Sequence, residues 1–108
     1  MKSTKSRVVF VVWLALCALA TPSFAQPADA LKKAQAAFDT AQLEYLQGKY
    51  DEAAQGFQDA YAARQFPQFL YNVGACHHMK GKKTSDVGSY QKAVDFYKKY
   101  LAEDPTAS

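Results

Sequence analysis

The chain has 108 residues, 49% of them hydrophobic, and a formal net charge of +3, which is enough for one small domain at most. The whole excess sits in Lys2, Lys5 and Arg7: from Gln26 onward 10 Lys or Arg oppose 10 Asp or Glu. The basic balance is therefore no argument for nucleic acid or an anionic membrane as a partner.

Residues 1–25 read as a secretory signal peptide. A basic start leads into Val8 to Ala20, a run of 13 apolar residues, short of the roughly 20 that span a bilayer as a helix. Thr21-Pro22 breaks that run, and Ser23-Phe24-Ala25 puts small residues at the expected cleavage positions. Cleavage after Ala25 predicts an exported protein, periplasmic or secreted, with no stable membrane insertion afterwards. An uncleaved anchor is the alternative; a lipoprotein site at Cys17 is disfavoured by the bulky Leu16 before it. Cleavage also removes Cys17, and Cys76 alone cannot form an internal disulfide.

Residues 26–108 read as one all-helical domain, since hydrophobic spacing follows a 3.6-residue period throughout and no stretch alternates as a strand would. The first helix is expected from Ala28 to Gln47, with Asp29 suited to its N-terminus and Leu31, Ala34, Phe38, Ala41 and Tyr45 on one face. Gly48 ends it. The second helix runs from Tyr50 to Arg64 and buries Tyr50, Ala53, Ala54, Phe57, Ala60 and Tyr61. Gln65 to Pro67 is a break. The third helix is expected from Gln68 to Lys80, closed by Gly81, and the fourth from Asp86, a candidate N-cap, to Glu103. The apolar face expected for the fourth is Val87, Tyr90, Ala93, Val94, Tyr97 and Leu101.

The two halves repeat. Ala41 matches Gly74 and Gly48 matches Gly81 at a spacing of 33; then Tyr50, Ala53, Phe57 and Tyr61 match Tyr90, Ala93, Tyr97 and Leu101 at a spacing of 40. The same helical hairpin occurs twice, at about 34–67 and 68–105, the second with seven extra residues near 82–88. These seven are expected in the turn, where Lys80, Lys82 and Lys83 form a basic patch.

Ala41, Gly48, Tyr50, Ala53, Phe57 and Ala60, with Gly74, Gly81, Tyr90, Ala93, Tyr97 and Pro105 in the second copy, resemble the tetratricopeptide repeat. The first copy lacks the closing proline at Gln65, and the second has Tyr100 where an alanine is usual. The resemblance implies two antiparallel helical hairpins in a right-handed α-solenoid fragment, whose first helices line a concave groove for a protein or peptide. By its register the groove residues are Gln35, Phe38, Gln42, Tyr45, Gln68, Tyr71, Asn72, Ala75, His78 and Met79, with Asn72 at the position that bonds a bound peptide's backbone. Gln35 and Gln68 stand where a clamp for acidic C-termini would need lysines.

Catalysis has no support in the residues. Cys76, His77 and His78 are adjacent on a helix and point about 100° apart, so they cannot converge on one metal ion or form a nucleophile–base pair. No cofactor is called for. The expected function is an interaction module for an envelope partner; the alternative is a self-associating structural protein, packing through Tyr90, Tyr97 and Tyr100.

Overall fold

The computed structural model describes residues 27–104 and 106; the expected signal segment, its expected cleavage site and Pro105 lie outside the described residues. Among the described residues four α-helices follow one another: α1 (Pro27–Leu46), α2 (Tyr50–Ala63), α3 (Pro67–Thr84) and α4 (Val87–Glu103). Each packs on its neighbour in sequence. Because the connections are short, α1–α2 and α3–α4 are antiparallel hairpins, stacked through α2 and α3.

Local chemistry explains three of the boundaries. Pro67 opens α3 at a position whose N–H has no helical partner. Gly48, at φ +78°, takes the left-handed conformation that ends α1. The Gly48 amide donates to the Tyr45 carbonyl at 3.0 Å and the Lys49 amide to the Glu44 carbonyl at 2.9 Å, the paired bonds of a Schellman turn. Asp86 caps α4 as expected, its carboxylate accepting from the Gly88 and Ser89 amides, each at 3.2 Å, and from the Ser89 hydroxyl at 2.7 Å. These bonds hold the Asp86 carboxyl below its usual range.

Gly81 does not close α3. The helix runs on through Thr84, and Ser85, at φ 56°, ends it instead. The seven extra residues are therefore not a loop. Lys82, Lys83 and Thr84 lengthen α3, Val87 and Gly88 begin α4, and only Ser85 and Asp86 connect them. Measured from Met79 and Tyr90, the counterparts of Leu46 and Tyr50, α3 gains five residues and α4 three while the connection shortens by one, so each arm gains roughly one helical turn of about 3.6 residues. Gly81 has another task, since a Cβ there would lie 3.1 Å from the Tyr90 ring. The expected basic patch is also partly spent, because Lys80 Nζ pairs with Asp51 at 2.9 Å and Lys83 lies 5.9 Å over the Tyr50 ring.

The core is built from small residues. Ala34, Ala41, Ala53, Ala54, Ala60 and Ala93 are buried, and the largest fully buried side chains, Leu70, Val73 and Cys76, all belong to α3. Alanine at the crossings permits close helix approach, while Phe38, Tyr45 and Phe96 seal the edges. Two expected faces need correction. Leu31 of α1 is exposed, and so are Val87, Tyr90, Val94 and Leu101 of α4. The inward side of α4 is Ser89, Ala93, Phe96 and Tyr97. Tyr97 and Tyr100 turn onto α3, where their rings meet Tyr71 at 5.3 and 5.5 Å, so they do not form the expected external face with Tyr90. The α4 pattern misleads because Ser89 is buried, its hydroxyl satisfied by Asp86, while valines occupy the outer side.

Candidate functional site: a groove between α1 and α3

Positions four and three residues apart share a helix face, and this brings Phe38, Gln42 and Tyr45 of α1 opposite Tyr71, Asn72 and Ala75 of α3. Phe57 of α2 forms the floor, and the seven residues enclose a groove of about 300 Å³. The aromatics are braced from behind. Phe38 contacts Phe57 and Phe69 at 5.6 and 5.7 Å between ring centroids, and Tyr45 meets Tyr50 edge-on at 5.4 Å. Such tilted and edge arrangements suit the ring quadrupoles and limit rotation.

No residue lining this groove carries a formal charge. Burial, then the neighbouring Tyr50, pushes the Tyr45 phenol above its usual range, so it stays a neutral donor at physiological pH. The chemistry on offer is two primary amides, two phenols and apolar ring surface.

Six of the ten residues expected at the groove meet there: Phe38, Gln42, Tyr45, Tyr71, Asn72 and Ala75. The other four do not line it. Gln35 borders a separate hollow with Leu31, Phe66 and Phe69, and its amide donates to Asp39 at 3.2 Å. Gln68 is exposed on the first turn of α3. His78 lies toward α4, its ring 5.9 Å from Tyr90, and Met79 is half-buried elsewhere on α3. The register missed Phe57, which is assigned to the α2 core but also reaches the groove between the first helices.

Cys76, His77 and His78 diverge as adjacent helical residues must. Cys76 is fully buried, and burial pushes its thiol up to about 12. His77 stacks on Phe96 at 5.7 Å, with its pKa lowered by burial and then by Lys92. Among the described residues no group of three or more His, Cys, Asp or Glu is placed to hold a metal ion.

A second, shallower cleft of about 550 Å³ lies on the outer side of the first hairpin, between Ala36, Ala37, Thr40 and Glu44 of α1 and Glu52, Gln55, Gly56 and Asp59 of α2. It is larger than the groove but has no aromatic lining. No protein-family model matches the chain, and neither the curated proteins nor the solved structures include a significant match to it.

Proposed function

We propose that this chain is an exported, tetratricopeptide-type binding module that holds an extended, uncharged segment of another protein between α1 and α3, and that it is not an enzyme. The observation that carries this reading is the groove itself, with Gln42 on one wall, Asn72 on the other and aromatic rings between them. Amides on opposing walls suit the alternating donors and acceptors of an extended backbone, whose partners in solvent must be replaced on binding. The rings of Phe38, Tyr45 and Tyr71 offer pre-positioned apolar surface, so little side-chain entropy is lost when a ligand arrives. A charged segment would lose water and find no counter-charge in the groove. The buried, protonated thiol of Cys76 fits a packing role and not a nucleophilic one.

Photo-crosslinking residues placed singly at Gln42, at Asn72 and at exposed Lys82 test the reading in intact cells. The expected result is a discrete adduct from the two groove positions, absent from Lys82 and weakened by Tyr71→Ala. An equal yield from Lys82, or no adduct from either groove position, overturns it. Sequencing the N-terminus of the recovered protein tests export, with Gln26 the expected first residue.

A further inference from the structure

The two ends of the helix array carry faces that belong together. Inside the molecule, α2 and α3 show how the second helix of one hairpin packs on the first helix of the next. Ala54 and Phe57 are buried against Val73 and Cys76, and the Lys80–Asp51 pair of 2.9 Å closes the far end. The internal repeat maps this interface onto both ends. At a spacing of 40, Ala54 corresponds to Val94 and Tyr61 to Leu101; at a spacing of 33, Leu70, Val73 and Cys76 correspond to Ala37, Thr40 and Leu43. The counterparts are uncovered: Val94 is 44% exposed against 3% for Ala54, and Leu43 is 56% exposed against 0% for Cys76.

The two faces fit in volume and in charge. Alanine at 54 becomes the larger valine at 94 while leucine at 70 and valine at 73 become the smaller Ala37 and Thr40; in the other direction, Tyr61 becomes the smaller Leu101 and Cys76 the larger Leu43. The larger side chain thus meets the roomier surface, the outer cleft of about 550 Å³. Tyr61 contacts Lys99 and Glu103 of α4, so its counterpart Leu101 would reach the counterparts of those residues, Asp59 and Ala63, which border a hollow with Ala37 and Ala62. The receiving cleft is bordered by Glu44, Glu52 and Asp59. Lys98 lies on the presenting face, four residues from Val94 and three from Leu101. Asp95 corresponds to Gln55, which faces the outer cleft and not α3, so it falls on the flank.

We propose that copies of this chain join head to tail, with α4 of one seated in the outer α1–α2 cleft of the next as α2 sits on α3. The contact is heterologous, so it extends a chain of copies and does not close a symmetric pair. It covers Val94, Leu101 and Leu43, which the first and last described helices leave exposed. It goes beyond the peptide-binding reading, because it uses the two ends and leaves the groove free.

Light scattering on the chain, expressed with its own leader and purified as the cell delivers it, measures mass from low to high micromolar concentration. Val94→Glu with Leu101→Glu disables the presenting end, and Ala36→Glu with Thr40→Glu the receiving end; all four are exposed helical sites where glutamate is well tolerated. Far-ultraviolet circular dichroism checks that each is folded, and Thr40→Lys replaces the receiving variant if it is not. The expected result is that wild-type mass climbs past the dimer, each variant alone stays monomeric, and an equimolar mixture of the two reaches twice the monomer mass and no more. A wild-type monomer throughout, as expected if a helix of another protein covers these ends, overturns the proposal. So does assembly of either variant alone, or a mixture that stays monomeric while wild type assembles.

Discussion

A Cβ placed on Gly74 would lie 2.7 Å from two carbons of the Tyr97 ring. The first copy answers the same problem with Ala41 at the matching position, fully buried in the core, but there the relief is on the partner helix. A Cβ on Gly56 would meet the Ala41 methyl, also at 2.7 Å. Each hairpin therefore has one glycine at which a Cβ would lie 2.7 Å from the facing helix, placed on opposite arms.

Gly74→Ala is expected to destabilise the protein. Alanine gains about 1 kcal/mol of helix propensity, but overpacking costs about 1–3 kcal/mol and the ring must move. A net loss of up to about 2 kcal/mol follows, and Tyr97→Leu in the same chain should remove most of it. Gly81→Ala is the control: its nearest contact is 3.1 Å and the Tyr90 ring is exposed enough to give way. Its stability should stay within about 1 kcal/mol of wild type. Urea denaturation of the three variants decides the order.

Gly56→Ala should cost more than Gly74→Ala. The atom in its way is a methyl attached directly to the α1 backbone, with the Ala41 Cα only 3.4 Å from the new carbon. Such a group has no rotamer to escape into, so α1 and α2 must separate along their whole crossing. A loss at or above about 3 kcal/mol is expected, the upper end of overpacking costs. Equal midpoints for Gly56→Ala and Gly74→Ala would show that the hairpin yields as readily as a ring does.

This asymmetry explains what could be read from the residues. Helix number and three of the four starts follow from Pro67, the Gly48 turn and Asp86, each of which acts within a few residues. The end of α3 does not, because Gly81 serves as a Cβ-free seat for Tyr90, and only the packed hairpin reveals that. The outer side of α4 misleads for a related reason. Ser89 is hidden by its bond to Asp86, while Val87 and Val94 remain on the surface. At the groove, the central positions from Phe38 to Ala75 follow from helical spacing. Gln35, Gln68, His78 and Met79 fall away for local reasons: Gln35 bonds Asp39 beside a separate hollow, Gln68 stays on the exposed first turn of α3, and His78 turns toward Tyr90 of α4.

Cys76 should be inert in the native protein. Its thiol is fully buried and pushed up to about 12, so the reactive thiolate is scarce at neutral pH. In a chain carrying Cys17→Ser, Ellman's reagent should label nothing until denaturant is added, and then one thiol per chain. Cys76→Ser, nearly isosteric, should cost about 1–3 kcal/mol, since the site offers a hydroxyl little but apolar surface. Rapid native labelling would mean that α3 opens locally far more often than its burial implies.

His77 should make stability fall as the solution is acidified. It lies flat against Phe96 at 5.7 Å, and burial, then Lys92, lowers its pKa, with Asp51 opposing and Lys80 adding to the effect. A lowered folded pKa means that the unfolded chain binds the proton more readily, so stability is greatest above the ordinary histidine value and is lost as pH drops through the folded one. His77→Phe keeps the ring stack and cannot take a proton. Carboxylates such as Asp86 also titrate in acid, but they do so equally in both proteins, and the difference between the two curves isolates residue 77. Measured from about pH 7.5 to about pH 5, a range spanning the ordinary histidine value, the wild type should lose stability relative to His77→Phe. A difference that stays flat across that range would show that the ring exchanges protons as freely in the folded chain as in the unfolded one.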